Sequence, residues 1–461
     1  MNGPAPTDAA PLIARILGEV PRRYRLGELP DPFAAESDPH GANQLAILIE
    51  HARLALAAGQ PPDPAIKERF LHCLEALIRD AMQPEGGDPT YQAMVLRNHS
   101  GPVQEYVALA VQQAQDSRRV QSLLNAFAHP AKLERLPAGA LRDRLAILQG
   151  HVGAARWAQA ATLLQQQAPE AEAGGDAAVK AGLHRLQHDP ALPRLLRLEA
   201  LQADAEVRRY QSLWERQGPP ANSHAAAREG AAGRLRGNNV ETMTKDSLQA
   251  LAGCLNTVAA GQPYRVVTAM YVPAALAAHQ EGGKTEWDAV LLRQVSDEPL
   301  WDICLLVEAK ASPDSVSTDF PRLLRGLKVL SQADPARHYA FKAREGIFDL
   351  RGVSLQSLPT EADAVGRCVL YSSDAPAERH PRLLSAAARM QLLSSPECLG
   401  FAMALAEGWP ADARSLEVLW EQLVGAPQWQ ALLGQYEVIR RARELMVHVD
   451  DLMATARACG E

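Results

Sequence analysis

The stretch TEWDAVLLRQVSDEPLWDICLLVEAKAS, residues 285–312, decides the fold class of this chain. It contains two apolar runs rich in strand formers, and the polar segment VSDEP between them predicts a hairpin connection. Residues two apart in a strand point to the same face, so Glu308 and Lys310 are predicted to project together. Asp288 on the partner strand is predicted to lie across from them. The pattern therefore predicts two carboxylates and an ammonium in one pocket.

These residue types suit metal-assisted cleavage of phosphodiester bonds. Mg²⁺ and Mn²⁺ prefer oxygen ligands, keep several waters, and are held by one or two carboxylates together with a substrate phosphate. A lysine beside them can orient the nucleophile and stabilise the charge that develops on the phosphate oxygens. Asp288 and Glu308 are therefore the candidate metal ligands, and Lys310 is the candidate catalytic base or electrostatic partner.

Further elements surround this hairpin in a definite order. A helical run, VETMTKDSLQALAGCL (240–255), is followed by a predicted strand, YRVVTAMYV (264–272). After the hairpin, DFPRLLRGLKVLSQA (319–333) has leucines at helical spacing, and the run RCVLY (367–371) predicts another strand. The predicted order is helix, strand, hairpin, helix, strand.

With this order and these polar residues, residues 228–373 resemble the PD-(D/E)XK nuclease superfamily. The resemblance covers about a third of the chain on ordinary domain sizing. It implies an α/β core of the restriction-endonuclease-like type, in which Asp288 is the first acid, Glu308 the second acid and Lys310 the lysine. The family's proline before the first acid is absent, because Trp287 stands there.

The resemblance also implies a glutamate from the first core helix, as in many members of the superfamily. Glu241 is the first candidate for this residue, and Glu229 is the second. The implied activity is Mg²⁺-dependent (or Mn²⁺-dependent) hydrolysis of nucleic acid, with DNA expected rather than RNA. Glu241 would assist the metal or the water, and the carbonyl of Val307 or Ala309 would complete the coordination.

Two alternatives to a nuclease site remain open for these residues. The charged triplet is common at strand ends, so Asp288, Glu308 and Lys310 could form a solvated surface cluster of ion pairs. The chain could also be a catalytically inactive nuclease fold that serves as a scaffold and binds a protein partner through its helical domains. A pocket filled by an apolar side chain or by a tight Lys310 ion pair would favour the scaffold.

A basic face is predicted beside the proposed site. Arg322, Arg325 and Lys328 follow Asp319 at helical spacing and are candidates for contacts with phosphates. Residues 319–351 contain seven basic and four acidic residues, a local charge of +3 in a chain of net charge −7. The negative net charge argues against a surface that is basic all over and binds duplexes non-specifically. We therefore expect nucleic acid to bind only at the local basic face, in a salt-sensitive manner. An ordinary exposed face is the alternative.

Composition places the chain among globular proteins, with 47% hydrophobic and 22% charged residues. The six cysteines are far apart, and we expect free thiols in a reducing cytosol. No signal sequence is predicted, and no apolar window reaches the length that a bilayer requires, so we expect a cytoplasmic protein without a membrane partner. Richness in alanine, leucine and arginine is typical of a GC-rich bacterium.

The predicted domain organisation has four parts. Residues 1–40 are predicted to form a flexible tail, 41–217 an all-helical domain, 228–375 the nuclease-like core, and 381–461 a helical C-terminal extension. A linker is predicted around 218–230. The last run, WQALLGQYEVIRRARELMVHVDDLMATARA, predicts one long amphipathic helix through which the chain could form a homo-oligomer. Such appended domains suit restriction, repair, phage defence or secreted toxicity alike.

Overall fold

A computed structural model describes residues 9–33, 41–174, 177–218, 223–259, 263–277, 282–295 and 298–459. The chain divides into two compact units. The first, the sheet unit, comprises residues 1–77, 221–392 and 413–461; the second, the helical unit, comprises residues 78–220 and 393–412.

Helices predominate in the described part of the chain. In chain order they are α1 (Ala9–Glu19), α2 (Ala42–Ala57), α3 (Pro64–Ala81), α4 (Pro89–His99), α5 (Gly101–Ala128), α6 (Pro130–Leu133), α7 (Ala140–Gly153), α8 (Trp157–Gly174), α9 (Ala177–His188), α10 (Ala191–Leu201), α11 (Ala205–Glu215), α12 (His224–Val258), α13 (Ala274–Ala277), α14 (Val316–Ser331), α15 (Gly352–Gln356), α16 (Ala386–Leu393), α17 (Pro396–Ala406), α18 (Glu417–Gly425), α19 (Gln430–Leu433), α20 (Gln435–Glu444) and α21 (Val449–Ala458). The strands are β1 (Tyr264–Tyr271), β2 (Glu286–Gln294), β3 (Leu300–Ala309), β4 (His338–Ala343), β5 (Gly346–Arg351), β6 (Val369–Ser373) and β7 (Met446–His448).

The sheet is built around an antiparallel meander of β1, β2 and β3. β2 pairs with β1 on one side and with β3 on the other, and the second half of β3 pairs in parallel with β6. β7 lies parallel to β6 and extends the sheet. The predicted helix, strand, hairpin, helix and strand correspond to α12, β1, the β2–β3 pair, α14 and β6.

A second hairpin, which is not among the predicted elements, joins β4 and β5. β4 meets β1 at Tyr271 and Lys342, and β5 runs parallel to the start of β3. Five strands, β1, β4, β5, β3 and β2, therefore form a closed ring, and β6 and β7 extend from the second half of β3.

Helices cover both faces of this sheet. The apolar residues of α14 recur every three or four positions, so the helix buries one stripe against the sheet. That stripe packs on residues that include Trp287, Val290 and Leu306. α12, α1 and α21 pack on the opposite face, where Leu291, Leu305 and Val307 are buried among them. The alternation along β3 between the two cores follows from the period of two in a strand.

The helical unit has its own apolar cores, formed by residues of its helices. Asp88 and Asp204 accept backbone N–H groups at the starts of α4 and α11, which satisfies donors that a helix start leaves free. The hydroxyl of Tyr91 on α4 donates to the carbonyl of Cys398 on α17 at 2.9 Å. Residues 393–412 thus belong to this unit although they are distant in sequence.

The predicted domain boundaries need correction. Within the predicted tail 1–40, residues 1–8 and 34–40 lie outside the described residues, but α1 packs its apolar side into the core under the sheet, where Ile13, Ile16 and Leu17 are buried. Within the predicted linker 218–230, residues 219–222 lie outside the described residues, and the rest from His224 onward is helical. α2 and most of α3 belong to the sheet unit, so the predicted all-helical domain 41–217 is not one unit.

The C-terminal prediction is also wrong in two respects. The predicted long helix is broken into α19, α20 and α21, and β7 lies between the last two. The extension 381–461 is therefore not purely helical, and it does not supply a continuous amphipathic helix for self-association. β7 completes the sheet, because its residues Met446 to His448 pair with Tyr371 to Ser373 of β6.

The expectation of six free thiols fails for one pair. Cys254 on α12 and Cys459 just after α21 form a disulfide, while Cys73, Cys304, Cys368 and Cys398 are not disulfide-bonded. Burial raises the pKa of the thiols of Cys304, Cys368 and Cys398 to about 12. In the described part of the chain, no helix combines the length and apolarity needed to cross a membrane.

Candidate active site

Antiparallel pairing of β2 and β3 brings Asp288, Glu308 and Lys310 together. Ala289 pairs with Val307, which places Asp288 across from Glu308 at the ends of the two strands. The N–H of Ala309 donates to Oδ2 of Asp288 at 2.9 Å, so this carboxylate is fixed against the β3 backbone. The three residues thus lie in the arrangement that strand periodicity predicts.

Glu308 is the most deeply buried member of the cluster, with no exposed side-chain surface. Its Oε2 lies 2.5 Å from Nζ of Lys284 and 3.6 Å from Nζ of Lys310. Its Oε1 has no hydrogen-bond partner among the described residues. Burial, followed by the nearby Asp288 carboxylate, raises the pKa of Glu308 well above its ordinary value, while the two lysines act in the opposite direction. The charge of this buried carboxylate is thus balanced by two lysines, and Oε1 is left without a polar partner in the described chain.

Lys310 is held from several sides. Its backbone N–H donates to the carbonyl of Ser372 on β6 at 2.8 Å, and its Nζ lies 3.2 Å from Oδ1 of Asp319 in the first turn of α14. The other oxygen of Asp319 accepts the hydroxyl of Tyr371 at 3.0 Å. Burial raises the pKa of Tyr371, so this hydroxyl stays protonated and acts as a donor. Asp319 and Tyr371 thus position the lysine, a role that the sequence pattern does not predict for them.

Lys284 is a site residue whose role the sequence pattern does not reveal. Because residues 284, 286 and 288 alternate, the sequence predicts that their side chains lie on one face of a strand. In the structure β2 begins at Glu286, so Lys284 precedes the strand. Burial lowers the pKa of Lys284, but Glu308, Asp319 and Asp288 more than offset this effect, so its pKa is raised overall. Glu286 is half-buried, and its hydrogen bond with Tyr271 raises the pKa of that tyrosine.

Glu241 of α12 lies near Asp288 at the edge of the site. Its side chain is exposed, and partial burial followed by Asp288 raises its pKa, while Arg344 and Lys310 act in the opposite direction. Glu229 is twelve residues earlier on the same helix, about 18 Å along its axis at 1.5 Å per residue, and is exposed. Of the two candidates on this helix, Glu241 is therefore the one close enough to Asp288 and Lys310 to interact with their charges.

The backbone opposite Asp288 is strained. The pairing of β1 with β2 passes from Thr268 and Ala289 to Met270 and Trp287, and Ala269 between them has a φ of 48°. This left-handed conformation is unfavourable for alanine and is kept only where surrounding contacts enforce it. Glu345, in the turn of the second hairpin, supplies such contacts, since it accepts both the N–H and the hydroxyl of Thr268 at 2.7 and 2.8 Å.

The side chains at the site fit a hard divalent cation with few protein ligands. Among the described residues, no three His, Cys, Asp or Glu side chains are grouped so as to hold a metal ion by themselves. Two carboxylates, Asp288 and Glu308, are present, and Oε1 of Glu308 is buried without a hydrogen-bond partner in the described chain. Mg²⁺ is commonly bound by one or two carboxylates while the remaining positions hold water and substrate phosphate oxygens. The donor set matches that pattern.

The predicted basic face lies on α14. Arg322, Arg325 and Lys328 are all exposed. Nε of Arg325 donates to the carbonyl of Gly282 at 3.0 Å, and none of the three forms an ion pair within the described chain. Their charges are therefore available to an anionic ligand.

Comparison with family models, with curated proteins and with solved structures found no match to this chain.

Proposed function

We propose that this chain is a metal-dependent nuclease of the PD-(D/E)XK type that hydrolyses phosphodiester bonds of nucleic acid, with DNA as the preferred substrate. One observation carries the proposal. At the meeting point of β2 and β3, Asp288 and Lys310 flank Glu308, which is fully buried and has an oxygen without a hydrogen-bond partner in the described chain. A buried carboxylate is costly unless a cation accompanies it, so this arrangement suits cation binding.

Each side chain has a role in this proposal. Asp288 and Glu308 would hold Mg²⁺ or Mn²⁺, which supplies positive charge to the phosphate oxygens and lowers the pKa of water. Lys310, positioned by Asp319, would orient the nucleophile and stabilise charge on the phosphate. Glu241, whose pKa is raised by partial burial and by Asp288, would accept a proton from the attacking water.

The basic face on α14 supports nucleic acid as the substrate class. Arg322, Arg325 and Lys328 are exposed on the helix whose first turn carries Asp319. We propose that they bind the phosphate backbone next to the site, which predicts salt-sensitive binding. We further propose a bacterial protein of the cytoplasm acting in defence or repair, while secretion as a toxin would fit the Cys254–Cys459 disulfide.

A second function has one observation in its favour. The ammonium of Lys284 lies 2.5 Å from Oε2 of Glu308 and already balances its charge. A tight ion pair of this kind suits a catalytically inactive scaffold that binds a protein partner through its helices. Lys284 forms the shortest of these pairs, whereas Nζ of Lys310 lies 3.6 Å from Oε2 of Glu308 and 3.2 Å from Oδ1 of Asp319.

The proposal is tested by incubating the purified chain with supercoiled DNA, linear DNA, single-stranded DNA and RNA. Mg²⁺, Mn²⁺ or EDTA is added, and products are separated on gels. We expect metal-dependent cleavage by the wild type and a loss of at least about 100-fold in Asp288→Ala and Lys310→Ala. Asp349→Ala and Lys342→Ala, which change exposed residues of the second hairpin, are the matched controls and should cleave normally.

Cleavage that persists in EDTA or in Asp288→Ala would refute the proposed site. Absence of cleavage of every substrate, with all variants folded by circular dichroism, would favour the scaffold function. Binding of DNA without cleavage would show that the chain has a nucleic-acid-binding surface but no nuclease activity.

A further inference from the structure

We infer that Lys284 is a built-in counter-cation of Glu308, which neutralises this carboxylate in the metal-free protein and competes with a divalent cation for it. The inference rests on the proposed function, because it concerns the same site. It gives the site a second lysine, outside the Glu308-Ala309-Lys310 triplet, whose role is to set the affinity for the metal. The role of Lys310 is in the reaction itself.

The distances distinguish the two lysines. Nζ of Lys284 is 2.5 Å from Oε2 of Glu308, whereas Nζ of Lys310 is 3.6 Å from the same oxygen and closer to Asp319, at 3.2 Å. Lys284 is therefore the principal charge partner of Glu308, and Lys310 is shared between two carboxylates. The Lys284 ammonium thus pairs mainly with Glu308, and the Lys310 ammonium lies nearer to Asp319.

The fold builds Lys284 into this position. It is 9% exposed in its side chain, and its ammonium lies 5.9 Å from the centre of the Trp287 ring. A Cβ added to Gly326 of α14 would lie 2.8 Å from Cβ of Lys284 and within 3.3 Å of its backbone N and O. Only a glycine at 326 allows the chain before β2 to lie this close to α14.

The adjoining residue is also fixed. The carbonyl of Thr285 accepts the N–H of Val272 at 2.9 Å, just beyond the end of β1. The backbone at Lys284 and Thr285 is thus held between α14 and the meander, so the position of Lys284 is set by the fold. Buried lysines are rare unless they have a charge partner, so its place beside Glu308 calls for an electrostatic explanation.

Charge repulsion gives the consequence for metal binding. Like charges repel strongly where water is excluded, so an ammonium against Oε2 of Glu308 disfavours a divalent cation on the same carboxylate. Asp288 and Asp319 also face this pocket and partly neutralise the two lysines. Removing the Lys284 charge should therefore leave Glu308 without its partner in the metal-free protein and make a divalent cation bind more tightly.

The experiment measures metal binding without any substrate. Mn²⁺ is titrated calorimetrically into the full-length wild type, Lys284→Met, Lys284→Gln and the control Lys342→Met at pH 8. Lys342 is exposed on β4, so Lys342→Met makes the same change in charge outside the site. We expect the Kd for Mn²⁺ to fall about tenfold in both Lys284 variants, as repulsion at close range predicts, and to stay at the wild-type value in the control.

Thermal melting supplies the second readout. Without metal, Lys284→Met should melt at least about 3 °C below the wild type, because Glu308 loses its principal charge partner, and saturating Mn²⁺ should remove that difference. Lys284→Gln retains a hydrogen-bond donor and provides the measurement if Lys284→Met does not fold.

The possible failures are distinct. Mn²⁺ binding by the wild type with an unchanged Kd in both Lys284 variants overturns the inference and leaves the proposed function intact. No Mn²⁺ binding by the wild type or by any variant overturns both. Binding that appears only when Lys284 is replaced supports the inference in its strongest form, in which Lys284 blocks the cation completely.

Discussion

Contacts with individual side chains determine the orientation of the Lys310 side chain. Asp319 contacts Nζ of Lys310 through one oxygen and the Tyr371 hydroxyl through the other, so it links α14 to the strand end and to β6. A carboxylate that holds two groups in this way restricts the rotamers of the lysine. Asp319 is therefore a positioning residue for the proposed reaction.

Asp319→Asn tests this role. The substitution keeps an acceptor for Tyr371 but removes the charge beside Lys310, and we expect the single-turnover cleavage rate to fall about 10-fold to 100-fold. The Kd for Mn²⁺ should stay within about twofold of the wild-type value, since Asp319 is not a proposed ligand. Asp349→Asn, an exposed change on β5, should leave both quantities unaltered. Equal losses of rate and metal affinity would assign Asp319 to the metal instead.

Among the elements, the β4–β5 hairpin contacts other strands both at its base and at its turn. At its base, Arg351 donates two hydrogen bonds to Asp302 of β3, at 2.8 and 2.6 Å. At its turn, Glu345 accepts two hydrogen bonds from Thr268, next to the strained Ala269. The hairpin thus closes the ring of strands and supports the backbone opposite Asp288.

Glu345 also makes this support dependent on pH. Burial raises its pKa, but the hydrogen bonds from Thr268 more than offset this effect, so the pKa is lowered overall. A carboxyl with a lowered pKa in the folded state stabilises the protein above its unfolded pKa of about 4.3, and this contribution disappears as the pH falls through the lowered value.

Glu345→Gln should therefore cost about 1–3 kcal/mol in the free energy of unfolding at pH 7. The difference from the wild type should shrink as the pH falls below about 4, because the wild-type carboxyl is then protonated as well. Urea denaturation between pH 7 and pH 3.5 measures both quantities, and Glu361→Gln on the exposed surface is the control. A constant difference across this pH range would contradict the assignment.

In the whole molecule, the two units are interleaved along the chain. The sheet unit draws on three separate stretches of sequence, and the helical unit takes residues 393–412 from within the C-terminal third. In the sheet unit, the Cys254–Cys459 disulfide joins α12 to the residue that follows α21, across a separation of 205 residues. A cross-link over so long a loop restricts the unfolded chain strongly.

The disulfide gives a direct test. Denatured, unreduced protein should show four reactive thiols, and reduced protein should show six. A reductant should lower the melting temperature of the wild type by about 5 °C or more. The Cys254→Ser/Cys459→Ser double variant should melt at the lower temperature from the start and should not respond to reductant. Six thiols in the unreduced protein would contradict the bond.

Local sequence determined the elements that build the site. The apolar runs around residues 290 and 305 predict β2 and β3, and the period of two along a strand places Glu308 and Lys310 on one face. The leucine spacing after the triplet predicts α14, and the apolar run at 367–371 predicts β6. These features depend on neighbouring residues, which is why the pattern of the sequence carries them.

Tertiary structure alone decided what surrounds those residues. Lys284 reaches Glu308 because Gly326 lets two distant segments approach closely, and Asp319 reaches Lys310 because α14 folds back over the strand end. The Cys254–Cys459 bond and the addition of β7 to the sheet likewise join residues far apart in sequence. Such pairings arise from the packing of whole elements, and no local periodicity or propensity encodes which distant partners meet.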